Sequence, residues 1–249
     1  MKVLITGASS GIGAAAAKTF AKHGYDLVLA GRDEARLTRV AESLEGVSVT
    51  LFKGDLTKRK AYQKLYSGLQ GDTIDVLINC AGAGYCGAFL DGDLDRQTKM
   101  MRLNNEALIR MTYMFGKDMV QRGKGHIINI CSTAAFVPGP YMAVYYATKA
   151  FVLSFSQALA EELKDTGVHV SCLCPGAVDT AFQEKAGQTS LGTPLTAGKA
   201  AEAVYRLNAH PRAVKILGAS GYALDIAARV FPRSLIRSVA GRVNRGRQV

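Results

Sequence analysis

Tyr145 and Lys149 stand four positions apart in the run Tyr145-Tyr146-Ala147-Thr148-Lys149, and Ser132 lies thirteen residues before Tyr145. On a helix, residues four apart share a face one turn above each other, so the phenol and the ammonium reach one pocket. A phenol titrates near pKa 10, which makes it a poor proton donor and a poorer base at neutral pH. A fixed ammonium beside it is expected to stabilise the phenolate and bring that pKa toward the working range. The chemistry this predicts is proton exchange with an oxygen, in which Tyr145 gives a proton to a carbonyl or takes one from an alcohol. The same spacing arises where a half-buried tyrosine neighbours a solvated lysine, so the pair acquires meaning from what surrounds it.

The elements that must position the pair read as alternating strands and helices. Residues 2–6 form a short apolar strand, followed by Gly7-Ala8-Ser9-Ser10-Gly11-Ile12-Gly13 and an alanine-rich helical run to about Tyr25. A glycine turn between strand and helix lets a pyrophosphate approach the backbone and meet the N–H groups at the helix start. The spacing is G-x-x-x-G-x-G rather than G-x-G-x-x-G, and a tight βα connection would use glycine too. A second strand, 26–30, ends at Gly31-Arg32-Asp33. Arginine at this strand end favours a ribose 2′-phosphate, whereas a carboxylate favours the free hydroxyl, so NADP(H) is the expected cofactor and Asp33 keeps NAD(H) open.

A third strand, 47–53, leads to Gly54-Asp55-Leu56, where Asp55 is placed either to accept from an adenine amino group or to cap the next helix. A fourth, 74–78, runs into Asn79-Cys80-Ala81-Gly82, small residues suited to a tight turn or to close approach of a cofactor. The helical region 94–122 carries Asn104 and Asn105 among apolar residues, as structural hydrogen-bonding groups or as part of a proton path. A fifth strand, 126–130, delivers Cys131-Ser132-Thr133 at its carboxyl end, where open parallel sheets bind ligands. The sixth, 169–174, closes on Pro175-Gly176-Ala177-Val178-Asp179-Thr180; residues 182–193 read as a polar flap, before a helix at 196–209 and a strand at 214–217. The pattern predicts an α/β fold, a single Rossmann-type doubly wound parallel sheet of about seven strands with helices on both faces.

The chain has 249 residues and no linker-like composition, which predicts one domain: a dinucleotide-binding and catalytic body over 1–217 and a basic helical extension of it over 218–249. Strand-like residues begin at Lys2, so no signal peptide is expected, and no apolar run approaches the length that crosses a bilayer. The five cysteines are odd in number and lack paired metal-ligand spacing, which predicts reduced thiols, no metal and a cytoplasmic setting. The formal charge is +11, yet six arginines follow Asp225 and without them the body carries +5. No repeat or nucleic-acid motif is present, and the tail lacks interleaved aromatics, so no specific nucleic-acid partner is expected.

Taken in order, Thr6-Gly7-x-x-x-Gly11-x-Gly13, Asn79-Cys80-Ala81-Gly82, Ser132, Tyr145-x-x-x-Lys149 and Pro175-Gly176 resemble the motifs of the short-chain dehydrogenase/reductase family, from Met1 to about Leu217. Cys80 replaces the asparagine usual at the second position of its motif. The resemblance implies an NADP(H)-dependent oxidoreductase that interconverts a carbonyl and a secondary alcohol. It assigns Tyr145 as general acid/base, Lys149 as the group that lowers its pKa and holds the nicotinamide ribose, Ser132 as donor to the substrate carbonyl, and Asn104 as the residue positioning a water. It also implies that Thr6, Gly7, Ser9, Ser10, Gly11, Ile12 and Gly13 hold the pyrophosphate and adenosine side, Arg32 the 2′-phosphate, and Asp55 with Leu56 the adenine. Asn79, Ala81, Gly82, Pro175, Gly176, Val178 and Thr180 would border the nicotinamide, and a homodimer or homotetramer would be the assembly.

The tail departs from the family's usual ending. At 100° per residue Leu235, Ile236, Val239, Ala240 and Val243 fall on one arc, with Arg233, Arg237, Arg242 and Arg245 outside it. Such a cationic helix serves to lie on an anionic membrane from the cytoplasmic side, to cover the pocket, to dock a second subunit, or to pack on its own domain. Membrane contact would suit a lipophilic ketone substrate. The competing reading is a non-catalytic NADP(H) sensor or scaffold whose tail recruits a membrane or protein partner, against which the complete Ser132, Tyr145, Lys149 and Asn104 set argues.

Overall fold

The computed structural model describes residues 1–189 and 193–247. The chain runs β1 (Lys2–Thr6), α1 (Gly11–Lys22), β2 (Asp26–Gly31), α2 (Glu34–Glu42), β3 (Val49–Lys53), α3 (Arg59–Gly68), β4 (Val76–Asn79) and α4 (Leu94–Met101). A π-helical turn (Arg102–Ala107) joins α4 to α5 (Leu108–Arg122), followed by β5 (Gly125–Ile130), a 3₁₀ turn (Thr133–Phe136), α6 (Ala143–Glu162) and β6 (Val168–Pro175). Then come β7 (Val178–Asp179), α7 (Phe182–Ala186), β8 (Leu195–Thr196), α8 (Ala197–Ala209), β9 (Val214–Leu217), α9 (Ala219–Val230) and α10 (Arg233–Arg245).

Seven strands pair in parallel in the order β3-β2-β1-β4-β5-β6-β9, the doubly wound sheet expected, and β7 with β8 make a small second ladder. A parallel sheet covered on both faces needs strands apolar on both faces, which is why the central strands read as unbroken apolar runs. Alternate residues go to opposite layers: Val3, Ile5, Leu27, Leu29 and Ile78 pack under α1 and α8, while Leu4, Val28, Leu77 and Ile127 pack with Leu65, Met111 and Phe115 of α3 and α5. In α1 the buried stripe Gly13, Ala16, Ala17, Phe20, Ala21 meets the buried Ala200, Ala201, Val204 and Leu207 of α8, and the small side chains let the two helices approach closely.

A buried polar chain crosses the middle of the sheet. Asn79 Nδ2 donates to Thr112 Oγ1 (3.0 Å) and to Asn129 Oδ1 (2.9 Å), Asn129 Nδ2 donates to Ser156 Oγ (2.9 Å), and Ser156 Oγ donates to Val152 O (2.6 Å). Polar groups this deep cost free energy unless satisfied, so the chain fixes α5 and α6 in register with β4 and β5.

His126 is buried on β5 with Nε2 2.8 Å from Ser171 Oγ. Burial, reinforced by the neighbouring His169, lowers its pKa to about 4. The unfolded chain, titrating near 6.5, then binds a proton that the native state refuses, so native stability is full above about pH 6.5 and falls as pH drops toward 4. At about 1.4 kcal/mol per pKa unit the loss is roughly 3 kcal/mol. Urea midpoints measured at pH 7 and pH 4.5 are expected to differ less in His126→Gln than in the wild type.

Candidate active site

The sheet order reverses between β1 and β4, and the carboxyl ends of these strands face a cavity of about 1010 Å³ that continues past β5 and β6. Gly7 adopts φ 70°, and a Cβ there would fall 2.8 Å from Ala81 Cα. A Cβ on Gly13 would fall 2.4 Å from Gly7 O, so the turn and the start of α1 close only around glycine. No side-chain oxygen caps the N-terminus of α1, which leaves its first N–H groups for a ligand. This cradle fits a dinucleotide pyrophosphate.

Gly7, Ser9, Ser10, Gly11, Ile12, Arg32, Leu56, Ala81, Gly82, Pro175, Gly176, Val178 and Thr180 line the cavity, as do Ser132, Tyr145 and Lys149. Five residues expected at the site stand behind its wall instead. Thr6 Oγ1 accepts from Cys80 N and Ala81 N (both 3.1 Å), holding the two strand ends together, while Gly13 packs on Gly7 and Asn79 belongs to the buried polar chain. Asp55 Oδ1 accepts from Thr57 N (3.1 Å) and Thr57 Oγ1 (2.8 Å), and its carboxylate pairs with Lys99 at 3.7 Å. Burial works to raise its pKa, but the Thr57 hydrogen bonds and the Lys99 and Arg32 charges outweigh it and hold the carboxyl below its ordinary value.

Asn104 is the fifth. Its Oδ1 accepts from Ala83 N (2.9 Å), and its Nδ2 donates to Ala83 O and to Thr148 Oγ1 (both 3.0 Å). Thr148 Oγ1 in turn donates to Tyr145 O (2.7 Å), and Asn105 Nδ2 donates to Thr148 O (3.0 Å). Successive residues of an α-helix diverge by about 100°; the wider π turn at Arg102–Ala107 lets both asparagines grip α6.

Tyr145 and Lys149 share the inner face of α6, both buried, with Lys149 Nζ donating to Ile130 O (2.9 Å) and lying 5.9 Å from the Tyr145 ring centroid. Ser132 Oγ accepts from Ala134 N (3.1 Å), which leaves its own proton for another oxygen. The expected lowering of the phenol pKa is not what this structure shows. Burial pushes Tyr145 well above its ordinary value; the neighbouring Ser132 hydroxyl and the Arg247 charge pull the other way but do not offset it. The Lys149 ammonium is directed onto the Ile130 carbonyl.

Other residues line the cavity beyond those assigned to the site from the sequence. Met100, Met142, Tyr146, Phe182 and Leu224 give an apolar wall, and the Phe182 ring stands 5.6 Å from that of Tyr145. The flap expected over 182–193 begins instead as α7, ended by Gly187 at φ 72°, and its residues 190–192 lie outside those described. Arg247 lines the cavity from the tail, beyond any motif. Cys131, Cys172 and Cys174 bring three buried sulfurs within 4.8 Å of one another, a cluster hidden from spacing because β5 supplies one and β6 the others.

The chain belongs to the short chain dehydrogenase family, whose pattern it matches over residues 1–191, and it is an NAD(P)-dependent oxidoreductase. It is 36% identical to an uncharacterised oxidoreductase of Staphylococcus saprophyticus over 71% of this chain and 78% of that one. It is 35% identical to the 17-beta-hydroxysteroid dehydrogenase type 3 of Mus musculus over 71% of this chain, which spans 60% of the murine protein. A short-chain dehydrogenase from Sphingobium yanoikuyae, solved in complex with NADPH, is 37% identical and superposes with a TM-score of 0.83, covering 92% of this chain and 93% of that one.

Asn104→Ala would leave the Ala83 N–H and C=O without their partner. An orphaned buried polar group costs about 1–3 kcal/mol, so a lowered urea midpoint is expected, together with weakened turnover as α6 loses its tie to the β4 loop.

Proposed function

We propose that this protein is an NADP(H)-dependent oxidoreductase acting on a lipophilic carbonyl compound or its secondary alcohol. The observation that carries the reading is the convergence of Ser132, Tyr145 and Lys149 in a cavity continuous with the glycine cradle. When bound, the nicotinamide supplies or accepts the hydride. Ser132 donates its free proton to the substrate oxygen and orients it, and Tyr145 delivers a proton to that oxygen as the carbonyl is reduced. Lys149, held by Ile130 O, places positive charge where the phenolate forms. Asn104 keeps the helix turn bearing Tyr145 against the β4 loop.

The NADP(H) reading is supported at the end of β2. Arg32 and Asp33 both line the cavity beside Gly31, but the Asp33 carboxylate, which would favour NAD(H), caps α2 through Arg36 N (3.0 Å) and pairs with Arg36 Nε (3.2 Å). Arg32→Ala is expected to raise KM for NADPH by roughly tenfold or more while moving KM for NADH little, the size of a lost charge-assisted hydrogen bond. The apolar wall supports a lipophilic substrate, a class to which the murine relative's name also points.

Tyr145→Phe is expected to reduce turnover by about 10²–10⁴-fold with cofactor binding retained, read by cofactor fluorescence titration. A non-catalytic sensor would instead show no turnover to lose. Because burial raises the phenol's pKa, carbonyl reduction, which uses the protonated form, is expected to stay level through neutral pH. Alcohol oxidation, which uses the phenolate, is expected to climb with pH. An oxidative rate that falls between pH 7 and 10 would refute the role.

The tail supports peripheral contact with an anionic membrane. Its inner edge packs on the body, but Leu235, Val239 and Val243 stay exposed beside Arg233, Arg237, Arg242 and Arg245, and Tyr222, Ile226 and Val230 make a second exposed stripe on α9. Two copies of so basic a face repel each other, whereas acidic lipid complements it. Exposed Met101, Ile109, Tyr113 and Val120 on α4 and α5 support self-association there instead. Among the described residues no helix is long and apolar enough to cross a membrane. Cosedimentation with phosphatidylglycerol vesicles, absent with phosphatidylcholine alone and lost in Leu235→Asp/Val239→Asp, is the expected result.

A further inference from the structure

The tail also has an inner side, and it reaches the reacting end of the cavity. Asn244 is fully buried, its Nδ2 donating to Pro140 O (2.9 Å) and its Oδ1 accepting from Tyr146 OH (3.2 Å). Arg245 Nε donates to Tyr141 OH (2.8 Å). Arg247 N donates to Asn244 O (3.1 Å), Thr189 N donates to Arg247 O (3.0 Å), and Arg247 Nε donates to Thr189 O (3.0 Å). These bonds hold the end of the described chain between the residue after Tyr145 and the segment following α7. The guanidinium is thereby brought to the cavity wall in a set position, with its remaining nitrogens unpartnered among the described residues.

Three further observations bear on what it meets. Its charge is felt at the Tyr145 phenol and the Cys86 thiol, both at the substrate end. The only carboxylate among the described lining residues is Asp33, which is paired with Arg36 at the far end. Arg96, which also lines the cavity, is already engaged, its guanidinium over the Tyr85 ring and bonded to Lys185 O. A guanidinium held at the cavity wall beside an apolar lining, with no carboxylate at that end among the described lining residues, matches a ligand that is apolar along its length and anionic at one end.

We infer that Arg247 forms a subsite for a carboxylate on the carbonyl substrate, so that the preferred compounds are oxo acids with an apolar chain rather than neutral ketones. The guanidinium fork binds the carboxylate through the N–H groups that the tail contacts leave free. The inference rests on the carbonyl-reductase reading and narrows its substrate class.

The test uses the full-length protein, NADPH, and straight-chain oxo carboxylates with the ketone at position 4, 6, 8 or 10, each beside its methyl ester. At least one acid is expected to exceed its ester by about tenfold or more in kcat/KM, the discrimination a charge-assisted contact gives. Arg247→Ala is expected to raise KM for that acid by about the same factor with kcat little changed and the ester unaffected, and Arg247→Lys to restore part of the loss. Equal effects on acid and ester would mean that Arg247 only holds the tail, and would overturn the inference, as would a wild type with no preference for any acid. Calorimetric titration of Tyr145→Phe with the same pairs separates the two readings. Acid binding that depends on Arg247 without wild-type turnover keeps the subsite and removes the carbonyl chemistry; ester turnover without acid preference does the reverse.

Discussion

A lysine ammonium held in the interior sets the terms for the rest of this structure. Lys149 is 7% exposed, and a charge so placed persists only where the protein replaces its lost water. Ile130 O accepts one of its protons, and the loop that keeps Gly82 small and the Asn104 amide nearby shapes the space around it. The fold can offer that carbonyl because β5 ends at Ile130, and it can hold the lysine because α6 is fastened to the sheet at Ser156 and to the π turn at Thr148. Removing either tie would let the helix slide and carry Tyr145 with it. The Tyr145 phenol is therefore positioned mostly by residues that do not line the cavity.

The fold was readable because its signals were redundant. Each central strand is a buried apolar run followed by a small-residue turn and then a helix, and the register of the parallel pairs follows from that order. The cavity-lining glycines were readable for a related reason, since Gly7 and Gly13 sit where no Cβ fits. What sequence alone did not show were properties that exist only between distant elements. Asp55 read as meeting adenine or capping the next helix, and its bonds to Thr57 and Lys99 were not visible in the sequence. The 94–122 segment read as one helix because π and α turns share the same residue preferences. The burial of Tyr145 was not legible because Y-x-x-x-K spacing reports proximity alone, and burial acts to raise the phenol's pKa.

The tail shows the same division. Its apolar arc was visible as a pattern, yet only the edge bearing Ile236, Ala240 and Asn244 turns to the body, while Leu235, Val239 and Val243 stay in solvent. Asn244, a polar residue with no special context in the sequence, proves to be the most buried residue of the helix because its amide matches a donor and an acceptor at Tyr146 and Pro140. One helix thus presents a closed face to the site and an open one outward.

The hydroxyl of Thr6 accepts from the backbone of Cys80 and Ala81, contacts that span 74 and 75 positions. Loops of that length close late, after the strands between them have found their places. The nucleotide cradle therefore has no partial form: a chain with only β1, α1 and β2 assembled holds the glycine turn but not the wall against which it closes.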